Sequence, residues 1–255
     1  MLAVPIFVSA AGNPNPAMNK TAFLFDGPKN AETAICLAHG AGALMDSDFM
    51  QAFAEGLGAE GFRVARFEFP YMAERRATGK RKPPNRAPML MEYWLDVVAQ
   101  LSADNLIIGG KSMGGRMASL VADEAGVKGL ICLGYPFHAP GKEPGTLRLD
   151  HLETLKTPTL ICQGTRDALG GTDDVAGYRL SAAVRLHWLE DGDHGFKPRK
   201  KSGHTENGNW TEAMTAITEF ANGLWHHATR PFFAPHQRVG RHEGILLCGG
   251  GVGSW

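Results

Sequence analysis

The stretch that most constrains this chain runs from Asn105 to Ser119, NLIIGGKSMGGRMAS. Leu106-Ile107-Ile108 is an apolar run long enough for a short buried strand. Gly109-Gly110-Lys111-Ser112-Met113-Gly114-Gly115 follows at once, and Arg116 to Ala122 has helical character. Inside lies G-x-S-x-G, Gly110 to Gly114. In a chain of 32 glycines such a pattern carries little alone. A strand before it and a helix after it give it meaning, because Ser112 then stands on a sharp strand-to-helix turn. The flanking glycines let the backbone make that turn and let neighbours approach closely. The serine oxygen is held at the end of the sheet, above a helix N-terminus whose free N–H groups favour negative charge.

The rest of the chain supplies a sheet for such a turn. Thr21 to Phe25 and Thr33 to Ala38 read as strands, the second ending in His39-Gly40-Ala41-Gly42. Asp46 to Ala59 places Phe49, Phe53 and Leu57 at helical spacing, with Asp46 or Ser47 as N-cap. Phe62 to Phe69 is the next strand, and Pro70 to Pro88 reads as a long polar, basic loop. Met89 to Leu101 is helical. Val127 to Tyr135, Pro158 to Cys162 and Val184 to Leu189 are further strands, and Trp210 to Leu224 is a closing helix. Strands alternating with helices predict an α/β fold, a mostly parallel sheet covered on both faces. Ligands bind such sheets beyond the carboxyl ends of the strands. The HGAG loop, Ser112, the Tyr135-to-His138 loop, Asp167 and His194 all follow strands, so they gather on one edge.

At 255 residues the chain fits one domain with room for a tail, and 44% hydrophobic residues can fill a sizeable core. We divide it into an irregular leader (1–20), an α/β domain (21–225) and a segment 226–255, basic and then Gly-rich. That last segment reads as a flexible tail, or else as a small docked piece. Met1 to Ala10 faintly resembles a signal peptide, but it lacks a basic start and Pro5 interrupts it. Zero net charge gives no global field towards nucleic acid or membrane. The longest apolar runs fall short of a membrane span. Cys36, Cys132 and Cys162 sit in strand-like runs and read as buried free thiols, which suits a reducing, cytoplasmic setting. No Cys/His spacing suggests zinc, and neither metal nor organic cofactor is expected. A phosphate-binding loop would need glycine at 105, where Asn105 stands.

A serine hydroxyl is a poor nucleophile at neutral pH. It needs a base, usually His, and the base needs a partner that fixes its tautomer, usually Asp. Ser112, Asp167 and His194 occur in the chain order this type of turn uses. Asp167 competes with Asp173 and Asp174 in the same loop, and with the plain reading of a turn aspartate. His194 lies in Gly192-Asp193-His194-Gly195. His187, within a strand, and His204, in a polar loop, are weaker candidates. The attacked carbonyl needs preorganised donors for its developing charge. One is the N–H of Met113. The second comes from the HGAG loop, at Ala41 with Gly42 as fallback. His39 reads as a residue that pins this loop rather than as a base.

Six segments carry a resemblance: LAHGAGALMDSDFM, FEFPYM, GGKSMGGRMAS, GYPFH, ICQGTRD and LEDGDHGFKPR. Together they resemble the α/β-hydrolase superfamily, near its dienelactone-hydrolase-like branch. More closely, they are similar to bacterial proteins grouped with the testis-expressed and chromatin-complex α/β-hydrolase-like domains of animals. The likeness spans Thr21 to Leu224. It implies a three-layer α/β/α sandwich with little or no cap, and a triad of Ser112, Asp167 and His194. Dienelactone hydrolases carry Cys at the nucleophile position, so with Ser112 that substrate does not transfer. The expectation is a serine hydrolase for a small ester or thioester, acting as monomer or homodimer. The rival is a non-catalytic interaction module, because fold alone does not settle function.

Substrate contacts are harder to read. Arg75, Arg76, Lys80, Arg81, Lys82 and Arg86 crowd one loop, and Lys197, Arg199, Lys200 and Lys201 follow His194. They read either as a solvated surface or as a rim that recruits an anionic ester. Tyr71, Tyr135, Phe137 and Phe69 are either acyl-pocket walls or ordinary core. Tyr71, Arg75, Tyr135, Phe137 and His138 are the candidate substrate-binding residues.

Overall fold

The computed structural model describes residues 21–139 and 147–226. In chain order the elements are β1 (Phe23–Asp26), β2 (Ala34–Ala38), α1 (Asp48–Ala59), β3 (Arg63–Phe67), α2 (Pro70–Thr78) and α3 (Ala87–Leu101). They continue with β4 (Leu106–Lys111), α4 (Met113–Ala125), β5 (Gly129–Leu133), β6 (Thr159–Gly164), α5 (Thr172–Val175), β7 (Val184–Leu189) and α6 (Glu206–His226). The strands pair in the order β1-β3-β2-β4-β5-β6-β7. Among the described strands only β1 runs antiparallel, against β3.

The central strands are apolar on both faces because both are covered. Along β2, Ile35 and Leu37 join one core with Phe53 and Leu57 of α1 and Ile217 of α6. Cys36 and Ala38 join the other, with Trp94 of α3 and Val121 of α4. β4 and β5 alternate likewise, so the period of two sorts each strand between two hydrophobic layers. Cys36, Cys132 and Cys162 are buried free thiols. Burial pushes each thiol up, away from the reactive thiolate.

Strand order positions the site. The chain steps from β2 outward to β3, then returns to place β4 on the other side of β2. That reversal opens a crevice beyond the carboxyl ends of β2 and β4. The loop after β2 and the turn after β4 meet there.

Three local expectations are corrected. Pro70 to Pro88 is not all loop, since Pro70 starts α2, which ends at Gly79 in a left-handed conformation. Proline suits the first helical position, where its missing N–H has no partner to lose. Ser47 occupies the N-cap of α1 without a side-chain cap bond, and Asp46 pairs with Arg76 instead. The closing helix starts one turn early, at Glu206. The leader 1–20 and the tail from 227 onward fall outside the described residues. No helix among the described residues is long and apolar enough to cross a membrane.

Candidate active site

Ser112 follows β4 directly and precedes α4, with φ 51° and ψ −115°. A positive φ at a non-glycine residue costs roughly 1–3 kcal/mol and persists only where the surroundings enforce it. Here the Ser112 N–H is bonded to the Leu133 carbonyl (2.9 Å), and its own carbonyl accepts from Arg116 N–H (3.0 Å). Gly114 lets the turn press against the end of β2, because a Cβ there would lie 2.6 Å from the His39 carbonyl oxygen.

His194 lies beyond β7. Its Nε2 is 2.8 Å from Ser112 Oγ, and its Nδ1 is 2.8 Å from Asp167 Oδ2. A carboxylate only accepts, so Nδ1 carries the proton and Nε2 is left to accept from the serine hydroxyl. Asp167 is 2% exposed. Its Oδ2 also accepts from Gln163 Nε2 (2.9 Å), and its Oδ1 from Leu169 N–H (2.8 Å). Gln163, which no sequence motif singles out, is itself fixed by Tyr135 N–H (2.7 Å). The competitors lie elsewhere. Asp173 and Asp174 are exposed on α5, His187 pairs with Glu212 (3.2 Å), and His204 is exposed.

The loop that carries His194 is strained and closely fastened. Asp191 and Phe196 both have positive φ, 53° and 71°. Asp193 Oδ1 accepts from Gly195 N–H (2.8 Å) and Lys197 N–H (3.0 Å). Arg166 Nε donates to the Asp191 carbonyl (3.0 Å), Asn209 Nδ2 to that of Phe196 (2.8 Å) and Trp210 Nε1 to that of Gly195 (3.1 Å).

Across the crevice, His39 is buried and neutral. Phe69 N–H donates to its Nε2 (3.1 Å), so Nδ1–H donates to the Gly40 carbonyl (2.6 Å). Burial pushes this histidine below its ordinary range. In a trans peptide the C=O and N–H point opposite ways, so holding the Gly40 carbonyl turns the Ala41 N–H outward. Tyr71 OH donates to the Ala41 carbonyl (3.0 Å), which turns Gly42 N–H in the same manner. Met113 opens α4, so its N–H has no carbonyl one turn back within the helix.

The candidate substrate residues divide. Tyr135 and Phe137 have 0% exposure and are corrected to core. The Tyr135 hydroxyl donates to the Arg148 carbonyl (3.0 Å), and the Phe137 ring packs on Tyr135 and Tyr178. Phe69 is fully buried and Tyr71 nearly so, the latter spent on the loop. Burial pushes the Tyr71 hydroxyl up to about 12. Arg75 Nη1 donates to the Gly42 carbonyl (3.2 Å). His138 is half-buried, with Nδ1 3.2 Å from the Ala139 carbonyl. Part of the basic run is paired with carboxylates. Arg76 pairs with Asp46 (2.8 Å) and Glu68 (2.7 Å), Lys82 with Glu74, Lys197 with Glu206 (3.7 Å) and Arg199 with Asp191. Lys80, Arg81, Arg86, Lys200 and Lys201 are exposed. Among the described residues no cluster of His, Cys, Asp and Glu is arranged to hold a metal ion.

Against known proteins, residues 31–222 match the family described as Alpha/beta hydrolase domain. Solved structures of the same fold include a dienelactone hydrolase from Anabaena variabilis, 20% identical, with a TM-score of 0.59 over 84% of this chain and 94% of that one. Est1E from Butyrivibrio proteoclasticus is 17% identical, with a TM-score of 0.60 over 79% of this chain and 93% of its own. An α/β serine hydrolase homologue from Coxiella burnetii is 18% identical, with a TM-score of 0.59 over 77% and 89%.

Proposed function

The chain belongs to the α/β-hydrolase domain family, and from that premise we propose that it is a serine hydrolase cleaving a small carboxylic ester or thioester. The observation that carries the reading is the unbroken hydrogen-bonded line Ser112–His194–Asp167, with both links 2.8 Å long.

Ser112 Oγ attacks the ester carbonyl carbon while His194 Nε2 takes its proton. Asp167 keeps His194 in the receptive tautomer and stabilises the cation that forms. The N–H groups of Met113 and Ala41, with Gly42 as alternative, face the developing oxyanion; such donors contribute because they need no reorganisation as charge develops. Collapse breaks the bond to the leaving alcohol or thiol, which receives the proton from His194. Water then attacks the acyl-enzyme and gives its proton to His194, which passes it to Ser112 Oγ as the acid leaves. Arg75 and Tyr71 shape the oxyanion loop, and His138, in the loop after β5, is the candidate for the acyl side. Lys80, Arg81, Arg86, Lys200 and Lys201 are exposed, so an anionic ester is compatible with the reading, as a neutral one is.

The test is labelling with a fluorophosphonate probe, wild type against Ser112→Ala. Wild type is expected to label and Ser112→Ala to lose the label completely while keeping its circular-dichroism spectrum. Folded wild type that takes no label would sink the reading in favour of a non-catalytic module on the same fold.

A further inference from the structure

Lys111 stands between Gly110 and Ser112, and the chemistry above gives it no part. It is the last residue of β4, and its side chain reaches the loop beyond β7. There its Nζ donates to the backbone carbonyl of His194 at 2.6 Å, 83 residues further along the chain. The ammonium lies 5.5 Å from the ring centroid of Phe49 and 5.9 Å from that of Phe196, positions in which a cation is attracted to an aromatic face. Glycine keeps the space open, since a Cβ on Gly134 (φ +66°) would lie 2.8 Å from both Nζ and the His194 carbonyl oxygen.

Two links therefore join the same pair of residues. One is the Ser112 Oγ–His194 Nε2 hydrogen bond, which on the proposed reaction is broken and remade in every turnover. The other runs from the residue covalently attached to Ser112 to the main chain of His194, and no proton transfer interrupts it. The His194 loop needs such a hold, because Asp191 and Phe196 on either side are strained.

We propose that Lys111 is a positioning residue that holds the main chain of His194 at a fixed distance from Ser112 while the reactive hydrogen bond between them is open. The inference rests on the serine-hydrolase reading for its effect on rate, but not for the hold itself. The groups facing the ammonium are Asp167 from the loop after β6 and Asp193 and His194 from the loop after β7, with α1 presenting the Phe49 ring. Burial lowers Lys111 to about 8, and the two carboxylates oppose that shift. Below that pH the link is charge-assisted; above it the donor is neutral and the bond weaker. The folded value lies below the ordinary lysine value of 10.5. Between the two the unfolded chain binds more protons, so stability rises with pH. Positioning and stability thus move in opposite directions above pH 8.

The experiment compares wild type with Lys111→Met, which keeps an apolar stem and removes the donor. With p-nitrophenyl acetate, kcat is expected to fall about 10–100-fold with KM within about twofold, as for a misplacement on the order of 1 Å. Wild-type kcat should decline as pH rises through 8, and the variant should lack that decline. The melting temperature of the variant should not be lower than that of wild type, because a buried charge is removed. Hydrogen exchange should speed up at residues 191–196. Unchanged kcat and pH profile, or a loss that only follows a lowered melting temperature, would overturn the proposal. If wild type takes no fluorophosphonate label, the hydrolase reading fails separately. Exchange at 191–196 then decides the hold, faster in the variant supporting it and unchanged refuting it.

Discussion

Two loops flank Ser112, and they are held by opposite means. The loop after β2, residues 39–46, has no positive φ. It is fastened from α2 by Tyr71, Arg75 and Arg76, and from just beyond β3 by Glu68, which accepts from Met45 N–H (3.3 Å). Its charged latch is partly in water, since the Arg76 side chain is 40% exposed. The loop after β7 is strained at Asp191 and Phe196, and is fastened by donors to four successive or near-successive carbonyls. The difference follows from what each loop presents. The first offers backbone N–H groups, which two carbonyl anchors orient. The second offers a side chain that, on the proposed reaction, must take up a proton and return it, and that demands a fixed main chain.

If this contrast is right, disturbing the base side should cost rate, and disturbing the outer latch should cost stability. The largest effect is expected for Asp167→Asn, which leaves the geometry but reverses the His194 tautomer. Its kcat on p-nitrophenyl acetate should fall about 10⁴-fold; a loss below tenfold would mean that Asp167 does not orient the base. Tyr71→Phe is next. It frees the Ala41 carbonyl without removing an oxyanion donor, so kcat should drop about tenfold, well short of the 10²–10³ for losing a donor outright. The smallest effect on rate is expected for Arg76→Ala, within about threefold. That change leaves Glu68, 5% exposed, without its cation and should lower unfolding free energy by about 2–4 kcal/mol, measured by urea titration. A rate loss from Arg76→Ala rivalling that from Asp167→Asn would erase the distinction.

Much of this was legible beforehand because the signals were local. The run Leu106-Ile107-Ile108, the glycines and the following helix lie within fifteen residues. Each later strand ends in a polar loop, so Asp167 and His194 could be placed by order. His39 was legible as a loop pin because it precedes Gly40. The helix α2 was hidden by its composition. Its polar, basic residues and leading proline look like loop until Tyr71 and Met72 are seen to bury against the sheet. Whether Tyr135 and Phe137 face a pocket or the core is not legible in the sequence, because an aromatic at a strand end turns inward or outward according to its neighbours. Gln163 and the His151–Ser119 contact (2.8 Å) beside Tyr135 filled the inward side. The pairing of the basic run is illegible for a related reason: the carboxylate partners of Arg76, Asp46 and Glu68, come from other segments.

By itself the sequence determined the layered α/β architecture and the strand-end positions of Ser112, Asp167 and His194. Both depend on hydrophobic period and on turn residues, which act over a few positions. Only the tertiary structure decided which of those groups meet, which charges are neutralised and where Lys111 reaches. Those outcomes depend on the strand order that brings β2, β4, β6 and β7 side by side, and on contacts between residues many tens of positions apart.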